Sequence, residues 1–134
     1  MVQNLLKNKN CLITGATGGL GREIAIELAK EGCNLFLTSK EENLEQLKSE
    51  IQKINNEIYV EYQLTDLRND HEINLLVKEI REKLPQIDIL VNCAGIFPVN
   101  EISKCTIEEY DSCMNLNVRA PFILSKEFSK DMVK

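Results

Sequence analysis

The feature that most constrains the fold of this 134-residue chain is a glycine-rich loop near its start. An apolar run at residues 11–13 leads into Thr-Gly-Ala-Thr-Gly-Gly-Leu-Gly at residues 14–21. Apolar residues then recur at helical spacing until Gly32 ends the pattern. This order of strand, tight turn and helix is typical of a phosphate-binding loop. It is not a P-loop, because no Gly-Lys-Ser/Thr sequence follows.

The loop must turn sharply, let a pyrophosphate approach its backbone, and bring the helix close to the strand. We expect Gly15, Gly19 and Gly21 to serve these purposes, since a side chain at any of them would obstruct. The start of the following helix adds free N–H groups and a partial positive charge for phosphates. The predicted cofactor-binding residues of the loop are Gly15, Thr17, Gly18, Gly19, Leu20 and Gly21.

Strand and helix patterns alternate along the whole chain, which predicts an α/β fold with a parallel sheet. The predicted strands span residues 11–14, 34–38, 58–64 and 88–92. Helical patterns follow each strand, the second over residues 44–54, the third from an Asn69–Glu72 capping box to Pro85, and the fourth from a Thr106–Glu109 capping box onward. We expect the fourth helix to bend near Pro121.

Polar residues follow the ends of the predicted strands, after Thr14, Thr38, Leu64 and Val91. Right-handed crossovers place the carboxyl ends of parallel strands along one edge of the sheet. Ligands of such sheets bind in the crevice outside those ends. The sequence therefore predicts one binding crevice at this edge.

Two motifs together resemble those of the short-chain dehydrogenase/reductase family, from about residue 8 to the end of the chain. The pattern Thr-Gly-x-x-x-Gly-x-Gly is complete in the first loop. After the fourth strand, Asn-Asn-Ala-Gly is present as Asn92, Ala94 and Gly95, with Cys93 in place of the second Asn. The overall pattern is similar to the 3-oxoacyl-[acyl-carrier-protein] reductases and the sugar and steroid dehydrogenases.

The resemblance implies a Rossmann-like, doubly wound parallel sheet in three α/β/α layers, of which this chain holds about four strands and four helices. It also implies an NAD(P)-dependent oxidoreductase that moves hydride between the cofactor and a ketone or secondary alcohol. Family members of this kind usually form dimers or tetramers, so a homo-oligomer is expected of a full-length enzyme.

The same resemblance gives roles to further residues. Asp66 and Leu67 match the element whose carboxylate contacts the adenine; alternatively, Asp66 only caps a loop. Asn117 matches the helix Asn that supports a proton relay through a water; alternatively, it bonds to backbone as a buried polar group. Ile96 lies where the family's backbone lines the nicotinamide side.

The residues at the end of the second strand indicate whether the cofactor is NAD or NADP. A carboxylate there accepts hydrogen bonds from the NAD ribose, and a basic residue accommodates the NADP phosphate. The sequence has Ser39 and Lys40 at this point and no Asp. NADP(H) is therefore favoured, with NAD(H) as the alternative if Lys40 is only a solvated charge.

The family's mechanism needs a Tyr four residues before a Lys, in which the Lys lowers the pKa of the Tyr, and a Ser that orients the substrate oxygen. The chain has three tyrosines, Tyr59, Tyr62 and Tyr110, and Gln63, Asp66 and Met114 stand four residues after them. We therefore expect residues 1–134 to be the N-terminal NAD(P)-binding part of a single domain, without its catalytic half and inactive alone. The alternatives are a non-catalytic dinucleotide-binding module and a truncated fragment.

Composition excludes several other classes of protein. The net charge is −5 and no basic stripe is visible, so a nucleic-acid partner is not expected. The chain contains no stretch long enough to span a membrane, and the N-terminus reaches its first strand too soon for a signal peptide. Five cysteines without CxxC spacing favour reduced, packed thiols over a metal site or disulfides, and hence a cytoplasmic location.

Overall fold

A computed structural model describes residues 4–134 and shows one parallel sheet of four strands in the order β3-β2-β1-β4. The strands are β1 (Asn10–Thr14), β2 (Asn34–Ser39), β3 (Val60–Leu64) and β4 (Ile89–Asn92). All four predicted strands are confirmed, although β3 begins two residues later than its apolar pattern. The predicted single domain over 1–134 includes residues 1–3, which lie outside the described residues.

Helices cover both faces of the sheet. They are α1 (Gly19–Lys30), α2 (Leu44–Ile54), α3 (Asp70–Lys83), α4 (Ile107–Met114) and α5 (Ala120–Met132), with a short 3-10 turn at Ile102–Lys104. A π-helical turn at Asn115–Arg119 joins α4 to α5, so these two form one long interrupted helix. With that helix counted once, the prediction of four strands and four helices is confirmed.

The core has two halves because successive side chains of a strand point to opposite faces. Cys11, Ile13, Leu35 and Leu37 pack against α1 and α2 on one face. On the other face, Leu12 and Phe36 pack against α3 and α5, which contribute Ile73, Leu76, Ile80, Ala120, Leu124 and Phe128. The predicted three-layer arrangement is confirmed.

The helix starts follow their capping signals. The Oγ1 of Thr106 accepts the Glu109 N–H at 3.1 Å, and the Glu109 carboxylate accepts the Thr106 N–H at 2.9 Å, which completes the predicted box of α4. Asn69 caps α3 by accepting from the N–H groups of residues 71 and 72. The second half of that predicted box is wrong: the Glu72 carboxylate accepts instead from the N–H of Asp66 at 3.1 Å.

The long helix is interrupted one turn before the position predicted from its proline. Pro121 has no N–H to donate to the preceding turn. The helix widens over residues 115–119, where the Ala120 N–H reaches the Asn115 carbonyl in the five-residue spacing of a π turn. Asn117 lies inside this turn, and such turns are frequent at functional sites.

The order of the strands fixes where a ligand can bind. From β1 the chain moves outward to β2 and β3 and then crosses back to place β4 on the other side of β1. The strand order thus reverses between β1 and β4, which is where doubly wound sheets bind their ligands. No helix of residues 4–134 combines the length and apolarity needed to cross a bilayer.

Candidate functional site

A cleft of about 290 Å³ opens at the carboxyl ends of the four strands. It brings together ten of the predicted cofactor-binding residues: Gly15, Thr17, Gly18, Ser39, Lys40, Asp66, Leu67, Ala94, Gly95 and Ile96. Gly19, Leu20, Gly21, Asn92 and Asn117 do not line it. Five further lining residues were missed by the sequence prediction: Glu41, Thr65, Arg68, Cys93 and Leu116.

The three loop glycines differ in what surrounds them. Gly15 has a φ of +60°, and a Cβ there would lie 2.8 Å from the Ala94 backbone. A Cβ on Gly21 would overlap the Gly15 carbonyl oxygen. A Cβ on Gly19 would meet no protein atom within 4 Å. The protein itself therefore leaves room for a side chain at Gly19, so the expected obstruction there concerns a bound ligand and stays a prediction.

The start of α1 leaves backbone donors free for a ligand. Gly18 occupies the N-cap position, no side chain caps it, and the first turn carries no acidic residue. The first helical bond runs from the Arg22 N–H to the Gly18 carbonyl at 2.9 Å. The N–H groups of the first turn and the partial positive charge of the helix therefore remain available to an anion.

Thr14 holds the ends of β1 and β4 together. Its Oγ1 accepts the N–H groups of Cys93 at 3.1 Å and Ala94 at 3.0 Å. These bonds bring residues 93–95 against the glycine loop, where Ala94 packs on Gly15. The two sequence motifs thus form one wall of the cleft, while Asn92 itself faces solvent.

The end of β2 offers two hydroxyls and two opposite charges. The oxygen of Ser39 lies 2.7 Å from that of Thr17 and accepts the Glu41 N–H at 3.1 Å. Lys40 is exposed and lines the cleft, and Glu41 brings a carboxylate to the same edge. The positive charge that favoured a phosphate at this edge is thus partly offset.

Asp66 faces the cleft with its carboxylate held by Arg68. The Nε of Arg68 donates to Oδ1 at 2.9 Å, its second terminal nitrogen donates to Oδ2 at 2.7 Å, and the Arg68 backbone N–H also donates to Oδ1. These hydrogen bonds hold the pKa of Asp66 below its usual range. The carboxylate is ionised at neutral pH and oriented before any ligand arrives.

Thr65 carries a buried hydroxyl without a partner. The residue is 3% exposed and lines the cleft, and its Oγ1 is the one buried side-chain polar atom of residues 4–134 that has no hydrogen bond. Such atoms cost free energy unless something satisfies them. The unpartnered Thr65 hydroxyl, the open backbone at Gly19 and the uncapped start of α1 together match what a nucleotide needs from its binding site.

Asn117 binds the backbone of the residue that follows the second motif. Its Oδ1 accepts the Ile96 N–H at 2.9 Å and its Nδ2 donates to the Ile96 carbonyl at 2.8 Å. This matches the alternative interpretation in part, since Asn117 does bond to backbone, but its side chain is exposed and not buried. The relay role remains a prediction.

A doubly wound parallel sheet, with a glycine loop leading into an uncapped helix beside its switch point, defines a nucleotide-binding α/β protein. The sequence model described as short chain dehydrogenase matches residues 9–134, and the chain belongs to that family.

Relatives in the same family cover nearly the whole chain. An uncharacterised oxidoreductase of Staphylococcus saprophyticus is 34% identical over 115 residues, which are 85% of this chain and 49% of that protein. A 3-oxoacyl-[acyl-carrier-protein] reductase of Buchnera aphidicola is 32% identical over 129 residues, which are 96% of this chain and 51% of that protein. The chain thus spans about half the length of the curated relatives it matches.

Solved structures with nicotinamide cofactors share the fold. A blue fluorescent protein from a metagenomic library in complex with NADPH superposes with a TM-score of 0.88 at 28% identity, over 97% of this chain and 53% of that chain. A metagenomic short-chain oxidoreductase in complex with NADP gives 0.88 at 26% identity, over 95% of this chain and 57% of that chain.

Proposed function

We propose that this chain binds a nicotinamide dinucleotide in the cleft, NADP(H) in preference to NAD(H). We further propose that it is the cofactor-binding part of an oxidoreductase that interconverts a ketone and a secondary alcohol. The observation that carries the proposal is the convergence of both motifs and the ends of β2 and β3 on one cleft beside the free start of α1. The cofactor-bound relatives of the same fold support it.

Each part of a dinucleotide has a candidate partner in the cleft or at the start of α1 beside it. The pyrophosphate would lie over Gly19 at the start of α1, where backbone donors are free. Ser39 and Lys40 would hold the adenosine ribose and its phosphate, and Asp66 with Leu67 the adenine. Residues 94–96 would line the nicotinamide side, with Asn117 holding Ile96 in place. The bound nicotinamide would supply or take up the hydride at its C4 carbon.

The preference for NADP(H) rests on Lys40 and can be measured directly. Calorimetric titrations of the chain with NADPH and with NADH give the two dissociation constants. We expect Lys40→Ala to weaken NADPH binding about tenfold and to leave NADH binding nearly unchanged, because only NADPH carries the extra phosphate. Lys53→Ala, an exposed charge on α2 outside the cleft, is the control. Equal affinities in the wild-type chain would favour the NAD(H) alternative.

Catalysis by this chain alone is not expected, because its sequence has no Tyr-x-x-x-Lys. The usual proton donor to the carbonyl oxygen is therefore missing. Without that group, a bound dinucleotide faces a substrate that nothing protonates. We expect NADPH binding without NADPH consumption when a 3-oxoacyl thioester, a ketosugar or a ketosteroid is added. Steady NADPH consumption with any of these substrates would contradict this proposal. The second candidate function is a non-catalytic dinucleotide-binding module.

The proposal extends to location and assembly. The five cysteines are free and two are buried among apolar side chains, which supports the reducing cytoplasm. An exposed apolar stripe runs along the long helix through Ile107, Tyr110, Met114, Val118 and Phe122. We take this stripe as support for a homo-oligomer of the full-length enzyme. A small carbonyl or alcohol remains the proposed substrate, with no role for nucleic acid or membrane.

A further inference from the structure

We propose that Arg68 is a positioning residue that makes the cleft selective for a 6-amino purine. It would do so by holding the Asp66 carboxylate with one acceptor position left open. This inference rests on the proposed dinucleotide binding. It assigns a role in that binding to Arg68, a residue outside both sequence motifs. Arg68 lines the cleft, its side chain is about one-third exposed, and it donates three hydrogen bonds to Asp66.

The number of bonds decides which position stays open. A carboxylate has about four acceptor positions, two on each oxygen. Oδ1 of Asp66 already accepts two bonds, from the backbone N–H and the Nε of Arg68. Oδ2 accepts only one, from the Arg68 guanidinium. One acceptor position therefore remains on Oδ2, and a ligand must supply a donor to use it.

The Arg68 guanidinium is itself held in place by a further hydrogen bond, to Ser112. Its other terminal nitrogen donates to the Oγ of Ser112 at 3.1 Å, which ties the loop after β3 to α4 across 44 residues of sequence. The planar fork of an Arg matches a carboxylate in two parallel bonds, so the carboxylate cannot rotate while both are made. A Lys at this position would keep the charge and lose that geometry.

A purine with an exocyclic amine fits this arrangement, and one with a carbonyl does not. The 6-amino group of adenine donates to the open position on Oδ2. Hypoxanthine carries a carbonyl oxygen at the same place, which would face the carboxylate without a hydrogen between them. The neighbouring Thr65 also lines the cleft, and its hydroxyl has no hydrogen-bond partner.

The test compares NADPH with its deamino analogue, in which hypoxanthine replaces adenine. We expect wild-type protein to bind NADPH more tightly than the analogue. Arg68→Lys should reduce that preference about tenfold, by weakening NADPH far more than the analogue. Arg119→Lys is the matched control, because Arg119 donates the same pair of hydrogen bonds, from Nε and a terminal nitrogen, to the Asp70 carboxylate outside the cleft. It should leave both affinities unchanged.

The outcomes separate the two proposals. A merely structural role of Arg68 would weaken both dinucleotides equally in Arg68→Lys, and that result would overturn the inference, as would no change at all. If Arg68→Lys fails to fold, Ser112→Ala removes only the third bond and should lower the adenine preference in the same direction. Binding of neither dinucleotide by the wild-type protein would overturn the proposed function itself, and the inference with it.

Discussion

At the scale of single residues, two glycines of the same loop differ in whether the folded protein can accommodate a side chain there. Gly21 allows α1 to pack on the Gly15 carbonyl, so the folded protein needs it. Gly19 has open space around it, so the folded protein does not need it. We propose that a ligand passing close to the backbone is the reason for glycine at this position.

We therefore expect Gly19→Ala and Gly21→Ala to separate binding from folding. Gly19→Ala should keep or raise thermal stability, by up to about 0.5 kcal/mol, because alanine restricts the unfolded chain. It should weaken NADPH binding at least about tenfold. Gly21→Ala should cost roughly 2 kcal/mol or more through overpacking. Urea unfolding measures the two stabilities, and a Gly19→Ala protein that melts like Gly21→Ala would contradict this assignment.

The unpartnered hydroxyl of Thr65 gives a second prediction at this scale. Thr65→Val removes a buried polar atom that has no hydrogen bond, so the free protein should gain roughly 1 kcal/mol of stability. Thr38→Val is the matched control, because the Thr38 hydroxyl donates to the Gln63 carbonyl at 2.8 Å and its loss should destabilise by a similar amount. Equal losses in both variants would show that Thr65 is satisfied in solution.

Apart from Cys93, the sequence located the cleft residues that belong to the two motifs, and it missed those whose role depends on tertiary contacts. Gly15 could be predicted because the tight turn restricts the residue type locally, and Asp66 because it matches the family's element after the third strand. Arg68 could not, because its role depends on Ser112, which only folding brings near. The missing partner of Thr65 is likewise a property of the packed loop and leaves no trace in the local pattern.

At the scale of elements, a partly buried ion pair holds the end of α5 against α3. Asp131 is 7% exposed, accepts the Ile87 N–H at 2.8 Å, and pairs with Arg81 of α3 at 2.6 Å. Arg81 also binds Glu127 and lies over the ring of Phe128. Burial alone would raise the pKa of Asp131, but the bonds from Arg81 and Ile87 outweigh it and lower the pKa.

We expect Asp131→Asn to cost roughly 2 kcal/mol at pH 7, because Arg81 loses its buried partner. Glu127→Gln is the control; its carboxylate is more exposed and should contribute under about 1 kcal/mol. Since the folded pKa of Asp131 is lowered, its contribution is fully present above the ordinary carboxyl pKa of about 3.9 and is lost progressively as pH falls from there through the lowered folded pKa. The difference between the urea midpoints of wild type and Asp131→Asn should therefore narrow as the pH falls from 7 to 3, and a constant difference would contradict this.

Elements were easier to predict than their irregularities. The strands agree with their apolar patterns to within two residues because burial on both faces leaves long uninterrupted runs, as in β1 and β2. The π turn at residues 115–119 could not be placed from Pro121 alone. A missing donor indicates that the helix must adjust but not at which residue.

At the scale of the whole molecule, the described sheet ends in a strand with one free edge. Within residues 4–134, β4 pairs only with β1, and its apolar side chains Ile89, Leu90 and Val91 are partly exposed. The apolar stripe of the long helix is exposed as well. Free edges and large apolar patches favour contacts between chains.

The 134-residue chain should therefore unfold broadly and self-associate in a concentration-dependent way. Val118→Lys places a charge in the middle of the stripe, on a half-exposed residue, and should reduce the association without loss of helix content. Light scattering and circular dichroism at several protein concentrations measure both properties. A sharp, reversible melt of a monomer, unchanged by concentration, would contradict this expectation.

The most direct test of the central claim is a calorimetric titration of the wild-type chain and Gly19→Ala with NADPH. The proposed site predicts saturable binding of one NADPH per chain, no consumption of NADPH on addition of a ketone, and strongly weakened binding by a Gly19→Ala protein that is still folded. No binding by the folded wild-type chain, or equal binding by both proteins, would contradict the claim that this cleft holds the cofactor.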